Sequence, residues 1–269
     1  MIEAALEAAR ALAVDHGLPA SDTAVLHAGS NVVVHLAPAP VVVRVMTGTA
    51  ALHADPSEWL TREVTVCRDL EDLGAAVVAP SREIPPGPHY VDGLWMTGWV
   101  HIAVDRAAPN PSPEVLGLEL RELHAAMSQV RVPLEPLVAV KEELGGLLDH
   151  LDLRDHPDAA EFRSRLASIS DDAYGVSGAQ QPVHGDASLS NLLTATDGRR
   201  VWADFEDARQ GPVAADVAGL VDAARNRRLG TDYEMALLAG YGEVDADTYD
   251  AQLQLHALYG AVWRAYHPS

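Results

Sequence analysis

Lysine is nearly absent. Of the 19 basic residues in the 269-residue chain only Lys141 is a lysine, and 39 acidic residues bring the formal charge to −20. A surface this acidic repels phosphate backbones and anionic lipid, and no basic cluster interrupts it, which argues against nucleic-acid and membrane partners. Cysteine is as scarce: Cys67 stands alone, so no intrachain disulfide forms, which suits a reducing compartment. Long apolar runs are missing too, and none approaches the roughly 18 residues of a membrane span. The first stretch carries Glu3 and Glu7 where a secretory signal would carry positive charge. A soluble, cytoplasmic protein is expected.

Several catalytic signatures are also missing. The 12 histidines include no HExxH pair, and a single cysteine cannot build a thiolate zinc site. There is no GxSxG elbow and no GxxxxGK[ST] phosphate loop. Cys67 falls on the apolar face of a helical pattern, where a buried thiol is inert.

What remains is ample for a fold. With 48% hydrophobic and 22% charged residues the chain can bury a core, and its length fits one large domain or two smaller lobes. Residues 2–16 repeat apolar side chains at helical spacing until Gly17 and Pro19. Residues 24–46 give two β-branched runs, the first interrupted by Gly29, Ser30 and Asn31, with Pro38 and Pro40 turning the chain before the second. These read as adjacent antiparallel strands. Asp55, Pro56 and Ser57 start a helix whose face carries Trp59, Glu63, Val66, Cys67, Leu70 and Leu73 until Gly74. Residues 80–99 read as two more strands ending in GLWMTGWV. From about residue 112 the pattern is helical, with one exception: residues 182–205 alternate loops and short β-type runs around the turn Asp197-Gly198.

That exception carries the chemistry. HGDASLSN spans residues 184–191, and Asp204 follows thirteen residues later in ADFED. A carboxylate in a loop, an amide five residues on and a second carboxylate across a hairpin can converge on one point. An amide oxygen and a carboxylate suit Mg²⁺, and the other carboxylate is left to accept a proton or hold an attacking hydroxyl. Phosphoryl transfer needs little else from a protein. With 12 histidines and four asparagines in the chain, a chance His-x-Asp-x₄-Asn is a rare event; the plain alternative is a polar turn with a capping Asp and a buried His.

On these residues the sequence resembles the aminoglycoside phosphotransferase and choline kinase-like enzymes, relatives of the protein kinases, over residues 24–220. The resemblance implies an α+β, two-lobed protein-kinase-like fold: residues 1–100 as a nucleotide-binding lobe with a small antiparallel sheet, and residues 101–269 as a helical lobe with the catalytic loop and acceptor site. It implies Asp186 as the catalytic base or hydroxyl-orienting residue, Asn191 and Asp204 as Mg²⁺ ligands, His184 as a brace of the loop, and Asp216 as a carboxylate supporting that loop. For Asp216 an ordinary helix N-terminal aspartate is the alternative. At the nucleotide end, Gly29, Ser30 and Asn31 fit a lid over the phosphates, although a simple bulge would look the same. Arg44 in VVVRVM takes the place of the wider kinase pattern's lysine, and Glu63 fits its partner or a solvated helix residue. Residues 97–101, with Trp99 and Val100, fit the hinge facing the adenine, unless Trp99 is core.

The implied co-substrate is ATP or GTP with Mg²⁺, and the implied partner is a small-molecule hydroxyl acceptor. Carboxylates after Phe205, Glu206 and Asp207 foremost, would suit a cationic acceptor such as an aminoglycoside, or simply form a solvated acidic surface. The alternatives are a metabolite kinase acting on a sugar or amino alcohol, and a weakly active nucleotide-binding relative.

Overall fold

A computed structural model describes residues 1–48, 50, 55–152, 154–174 and 179–266. The chain divides into two compact units, Met1–Ala108 with Leu193–Glu206, and Pro109–Leu192 with Asp207–Ser269. Sequence pattern had suggested a division after residue 100 with everything later in the helical lobe. The stretch Leu193–Glu206 instead joins the first unit, because Trp202 exchanges backbone hydrogen bonds with Ala76 and Val78 at 2.8 Å and Asp105 donates to Thr194 O at 2.8 Å.

In the first unit, α1 (Ile2–Asp15) lies on a five-stranded sheet. Its strands are β1 (Ala24–Ala28), β2 (Val32–His35), β3 (Val41–Val45), β4 (His89–Val91) and β5 (Leu94–Val100), in the order β1-β2-β3-β5-β4 with antiparallel neighbours. The interrupted run at residues 24–35 is thus two strands, with Gly29, Ser30 and Asn31 forming the turn that folds one back on the other. Ala5, Ala8, Ala9, Leu12 and Ala13 of α1 pack on Val32, Val34, Val41, Val43 and Val45 as a single core. The small side chains of α1 let the helix approach the β-branched face closely. Between β3 and β4 runs α2 (Pro56–Asp72), whose Asp55 cap accepts from Ser57 N at 2.9 Å and Glu58 N at 3.1 Å. The Asp-Pro-Ser signal therefore starts the helix as expected.

The second unit is mostly helical. Its helices are α3 (Pro113–Met127), α4 (Ala139–Asp152), α5 (Ala159–Ser168), α6 (Ala214–Asn226), α7 (Thr231–Tyr241) and α8 (Ala246–Tyr266). Two short pairings complete the chain: β6 (Gln181–Val183) with β9 (Arg209–Gly211), and β7 (Leu192–Thr194) with β8 (Arg200–Trp202), the latter hairpin turning at Gly198 with φ +85°. Helices α4, α5 and α8 enclose a core of leucines with Phe162, Tyr174 and Val262. Among the described residues no helix is long and apolar enough to cross a membrane.

Helices α3 and α7 touch backbone to backbone. A Cβ at Gly117 would run into Leu237 O, and one at Gly240 into Glu114 O. These contacts place Tyr241, the next residue along α7, against α3. In contrast, Gly145 and Gly146 of α4 face open space. Gly240→Ala is expected to lower stability in urea denaturation by about 1–3 kcal/mol through overpacking, whereas Gly146→Ala raises it by up to about 1 kcal/mol through helix propensity.

Candidate active site

The first unit supplies a buried charge cluster. Arg44 is the fourth residue of β3 and only 7% exposed. One end of its guanidinium, Nη2, donates to Glu63 Oε2 from α2. The other end, Nη1, meets two carboxylates, Asp204 Oδ1 at 2.9 Å and Glu206 Oε2 at 2.6 Å. Glu63 is 1% exposed, so it is a buried partner of the strand arginine and not a solvated helix residue. Burial pushes the Glu63 carboxyl up, to about 8, with the charge of Arg44 pulling the other way and those of Asp204 and Glu206 adding to the rise. Even without a charge on Glu63, Asp204 and Glu206 outnumber the one guanidinium, and that negative excess favours an added cation.

Asp204 is the most exposed of the three, with 38% of its side chain accessible. Its backbone lies in the left-handed region at φ +67°. Aspartate tolerates that conformation better than most residues, yet it costs free energy and tends to occur where a side chain must be aimed. The Gly29-Ser30-Asn31 turn is fixed by Gly29 N donating to Asn31 O at 3.0 Å. Trp99 is core: it is 7% exposed and its indole donates to Thr97 Oγ1 at 2.9 Å. The Val100 amide donates to Ala79 O at 2.9 Å, so that hinge N–H is already engaged within the lobe.

The second unit supplies the loop. Asn191 Nδ2 donates to both the backbone O and the Oδ2 of Asp186, each at 2.9 Å. These two hydrogen bonds from the amide nitrogen fix the Asp186 side chain. Asp186 itself is exposed. Gly185 must be glycine: its φ is +85° and a Cβ would collide with Asp207 O. The loop is thereby seated on the backbone of Asp207, one of the two residues expected near the acceptor. His184 is fully buried, and its ring Nδ1 accepts from Asp186 N at 3.3 Å.

Asp216, near the start of α6, is 2% exposed and holds the loop's backbone. Its Oδ2 accepts from His184 N at 2.7 Å and its Oδ1 from Gly185 N at 2.9 Å. It is more than an ordinary helix N-terminal aspartate. Sequence reading did not single out the next two members of this chain of bonds. His124 of α3 faces Asp216 Oδ2 through Nε2 at 2.8 Å, and its Nδ1 lies 2.8 Å from the Tyr241 hydroxyl. A histidine at an apolar position in HAAM was the only available signal, and it does not reveal partners 92 and 117 residues away.

Three acidic residues of the later helices have partners within the unit. Glu234 receives Arg225 at both oxygens and the Tyr249 hydroxyl at 2.8 Å. Asp222 accepts from Asn226 at 2.9 Å, and Asp245 caps Thr248. A cavity of about 40 Å³ beside the loop is lined by Ser188, Ser190, Leu220, Arg227 and Tyr233. It is large enough for water and far below the volume of a drug-sized ligand site. Among the described residues no group of three His, Cys, Asp or Glu side chains forms a ready-made metal centre. In the first unit, the hard oxygens of Asp204 and the negative excess around Arg44 nevertheless suit a cation such as Mg²⁺.

A small antiparallel lobe with a strand arginine paired to a helix glutamate, and a helical unit with a braced His-Gly-Asp loop, define a protein-kinase-like phosphotransferase fold. The choline kinase LicA from Streptococcus pneumoniae shares it at TM-score 0.69 and 14% identity, over 97% of this chain and 90% of that one. The aminoglycoside phosphotransferase APH(3'')-Id from Streptomyces rimosus does so at TM-score 0.66 and 18% identity, over 92% and 95%. An APH(2'') enzyme solved as its GDP and kanamycin complex gives 0.63 and 17%, over 96% and 89%. No curated protein matches in sequence. The chain belongs to the phosphotransferase enzyme family, whose model matches residues 14–255.

Asp216 also provides a pH test. Burial works to raise its carboxyl, but the hydrogen bond and charge of His124, with those of His184, outweigh it and hold Asp216 below the usual carboxylate range. A depressed acid stabilises fully above its unfolded value, about 3.9, and loses that contribution as pH falls through the folded value. Wild type should therefore lose stability below about pH 4 more steeply than Asp216→Asn, and the variant should be about 1–3 kcal/mol less stable at neutral pH. Urea denaturation from pH 3 to 8 checks this; parallel curves below pH 4 contradict it.

Proposed function

We propose that the protein transfers the γ-phosphoryl group of a nucleoside triphosphate to a hydroxyl of a small molecule. The observation that carries this reading is the pair of bonds from Asn191 to Asp186, set in a loop whose backbone amides are gripped by buried Asp216. An exposed carboxylate aimed this firmly is suited to one task, orienting a hydroxyl and taking its proton. The hydroxyl oxygen bonds to the γ-phosphorus, the bond from that phosphorus to the bridging oxygen breaks, and the nucleoside diphosphate leaves. The proton passes to Asp186.

Asn191 and Asp204 would hold Mg²⁺, which when bound neutralises phosphate charge. Arg44, kept in line by Glu63, presents its positive charge to the phosphate oxygens. The Gly29, Ser30 and Asn31 turn covers the phosphates. Residues 97–101 would lie along the base, with the Trp99 side chain in the core and the Gly98, Val100 and His101 amides already bonded within the unit. His184 and Asp216 keep the loop in shape.

Two acceptor classes are open. Solved relatives in complex with kanamycin and with spectinomycin favour an aminoglycoside-type or other cationic antibiotic acceptor, with Asp207 near it. A neutral hydroxyl compound is the other class, since Glu206 and Glu234 are already paired with arginines. Choline kinase relatives add amino alcohols to the panel.

Asp186→Ala should lower turnover by about 10²–10⁴-fold on any acceptor that wild type phosphorylates, while nucleotide affinity changes little. Steady-state diphosphate release against aminoglycosides, amino alcohols and sugars measures it. Equal background rates for the two proteins across the panel would leave a nucleotide-binding relative without transfer activity.

A further inference from the structure

Glu206 was expected beside the acceptor, but its carboxylate joins two parts of the first unit. Oε2 pairs with Arg44 Nη1 at 2.6 Å, and Oε1 accepts from Asn31 Nδ2 at 3.3 Å. Asn31 is 7% exposed, and Glu206 has 13% of its side chain accessible. The turn that Asn31 closes is also held at its middle, where Thr47 Oγ1 donates to Ser30 O at 3.3 Å, and Gly48 lies so close that a Cβ would come within 2.6 Å of the same oxygen. The backbone at Ser30 is thus fixed from β3's end, and the side chain of Asn31 is fixed from Glu206.

The need for Glu206 follows from the residue at position 44. A lysine offers one compact charge, and a single carboxylate can hold it. A guanidinium is a planar fork, and each end needs a partner if its plane is to stay fixed. Glu63 holds one end. Asp204 and Glu206 share the other. Asp204 is the exposed member of the pair and the one assigned to the metal, so it is not a lasting partner for Arg44. Glu206 is the more enclosed of the two and can be.

We propose that Glu206 is a positioning residue: it keeps the Arg44 guanidinium aligned when Asp204 turns to a cation, and through Asn31 it sets the position of the 29–31 turn over the polyphosphate. This rests on the nucleotide-lobe reading above, so its test has one arm that needs no nucleotide. Hydrogen exchange of the whole chain without ligand should show the amides of residues 29–33 exchanging about tenfold faster in Glu206→Ala than in wild type, with α1 unchanged. Glu206→Gln keeps an acceptor for Asn31 and should restore most of the protection. Unchanged exchange in Glu206→Ala, or an increase spread evenly over the unit, overturns the proposal.

The second arm is titration with a non-hydrolysable ATP analogue and Mg²⁺. Asn31→Ala and Glu206→Ala should each weaken binding about five- to tenfold, and the double variant should be no weaker than the worse single one, because both remove the same link. Effects that multiply overturn the coupling. Where Glu206→Ala fails to fold, the pair Asn31→Ala and Glu206→Gln carries both arms: faster exchange at residues 29–33 in the first and near-normal exchange in the second support the link, and the reverse overturns it. A wild type that binds no analogue defeats the nucleotide reading, and the exchange result then decides the Asn31–Glu206 link by itself.

Discussion

A guanidinium can be buried only if its charge is met, and the first unit is organised around meeting that of Arg44. The side chain stands in the middle of an antiparallel sheet, where leaving the charge uncompensated would cost several kcal/mol. Glu63 arrives from α2, and Asp204 and Glu206 arrive from a segment 160 residues further along the chain. That requirement explains why Leu193–Glu206 belongs to the first unit although it follows most of the second in sequence. The hydrogen bonds of Trp202 with Ala76 and Val78 deliver the carboxylates, and the ion pairs hold them.

The second unit answers a different constraint, that of holding an exposed carboxylate still. An aspartate in a solvated loop would sample many rotamers, and orientation is most of what such a group contributes to phosphoryl transfer. Here the loop's amides are tied to Asp216, Asp216 is tied to His124, and His124 to Tyr241. The close backbone crossing at Gly117 and Gly240 brings α7 near enough for the last link. Helix packing and the geometry of the loop are in this sense one problem, since a change in the α3–α7 distance would be felt at Asp186.

Much of this was legible in the sequence. HGDASLSN announced the loop that Asp216 holds, and ADFED announced a carboxylate segment, because their residue types and spacing have few other uses. Asp55-Pro56-Ser57 announced a helix, and the β-branched runs announced the sheet. Other features were hidden for physical reasons. Glu63 on an apolar helix face is ambiguous until its burial is known. Glu206 read as an acceptor contact because adjacency to Asp204 along the chain says nothing about which way a side chain points, and its partners Arg44 and Asn31 are more than 160 residues away. His124 and Tyr241 looked like ordinary residues of amphipathic helices. The scarcity of lysine takes on meaning only with the fold: with an arginine at position 44 the first unit needs a carboxylate at each end of the fork, and the chain has them.

The central claim is that these parts serve phosphoryl transfer to a small-molecule hydroxyl. Mass spectrometry of acceptor mixtures incubated with the protein, Mg²⁺ and ATP or GTP tests it most directly. The account predicts a phosphate-sized mass gain on at least one hydroxyl compound with wild type and none with Asp186→Ala. A gain of equal size with both proteins, or nucleotide consumed with no acceptor modified, would contradict it.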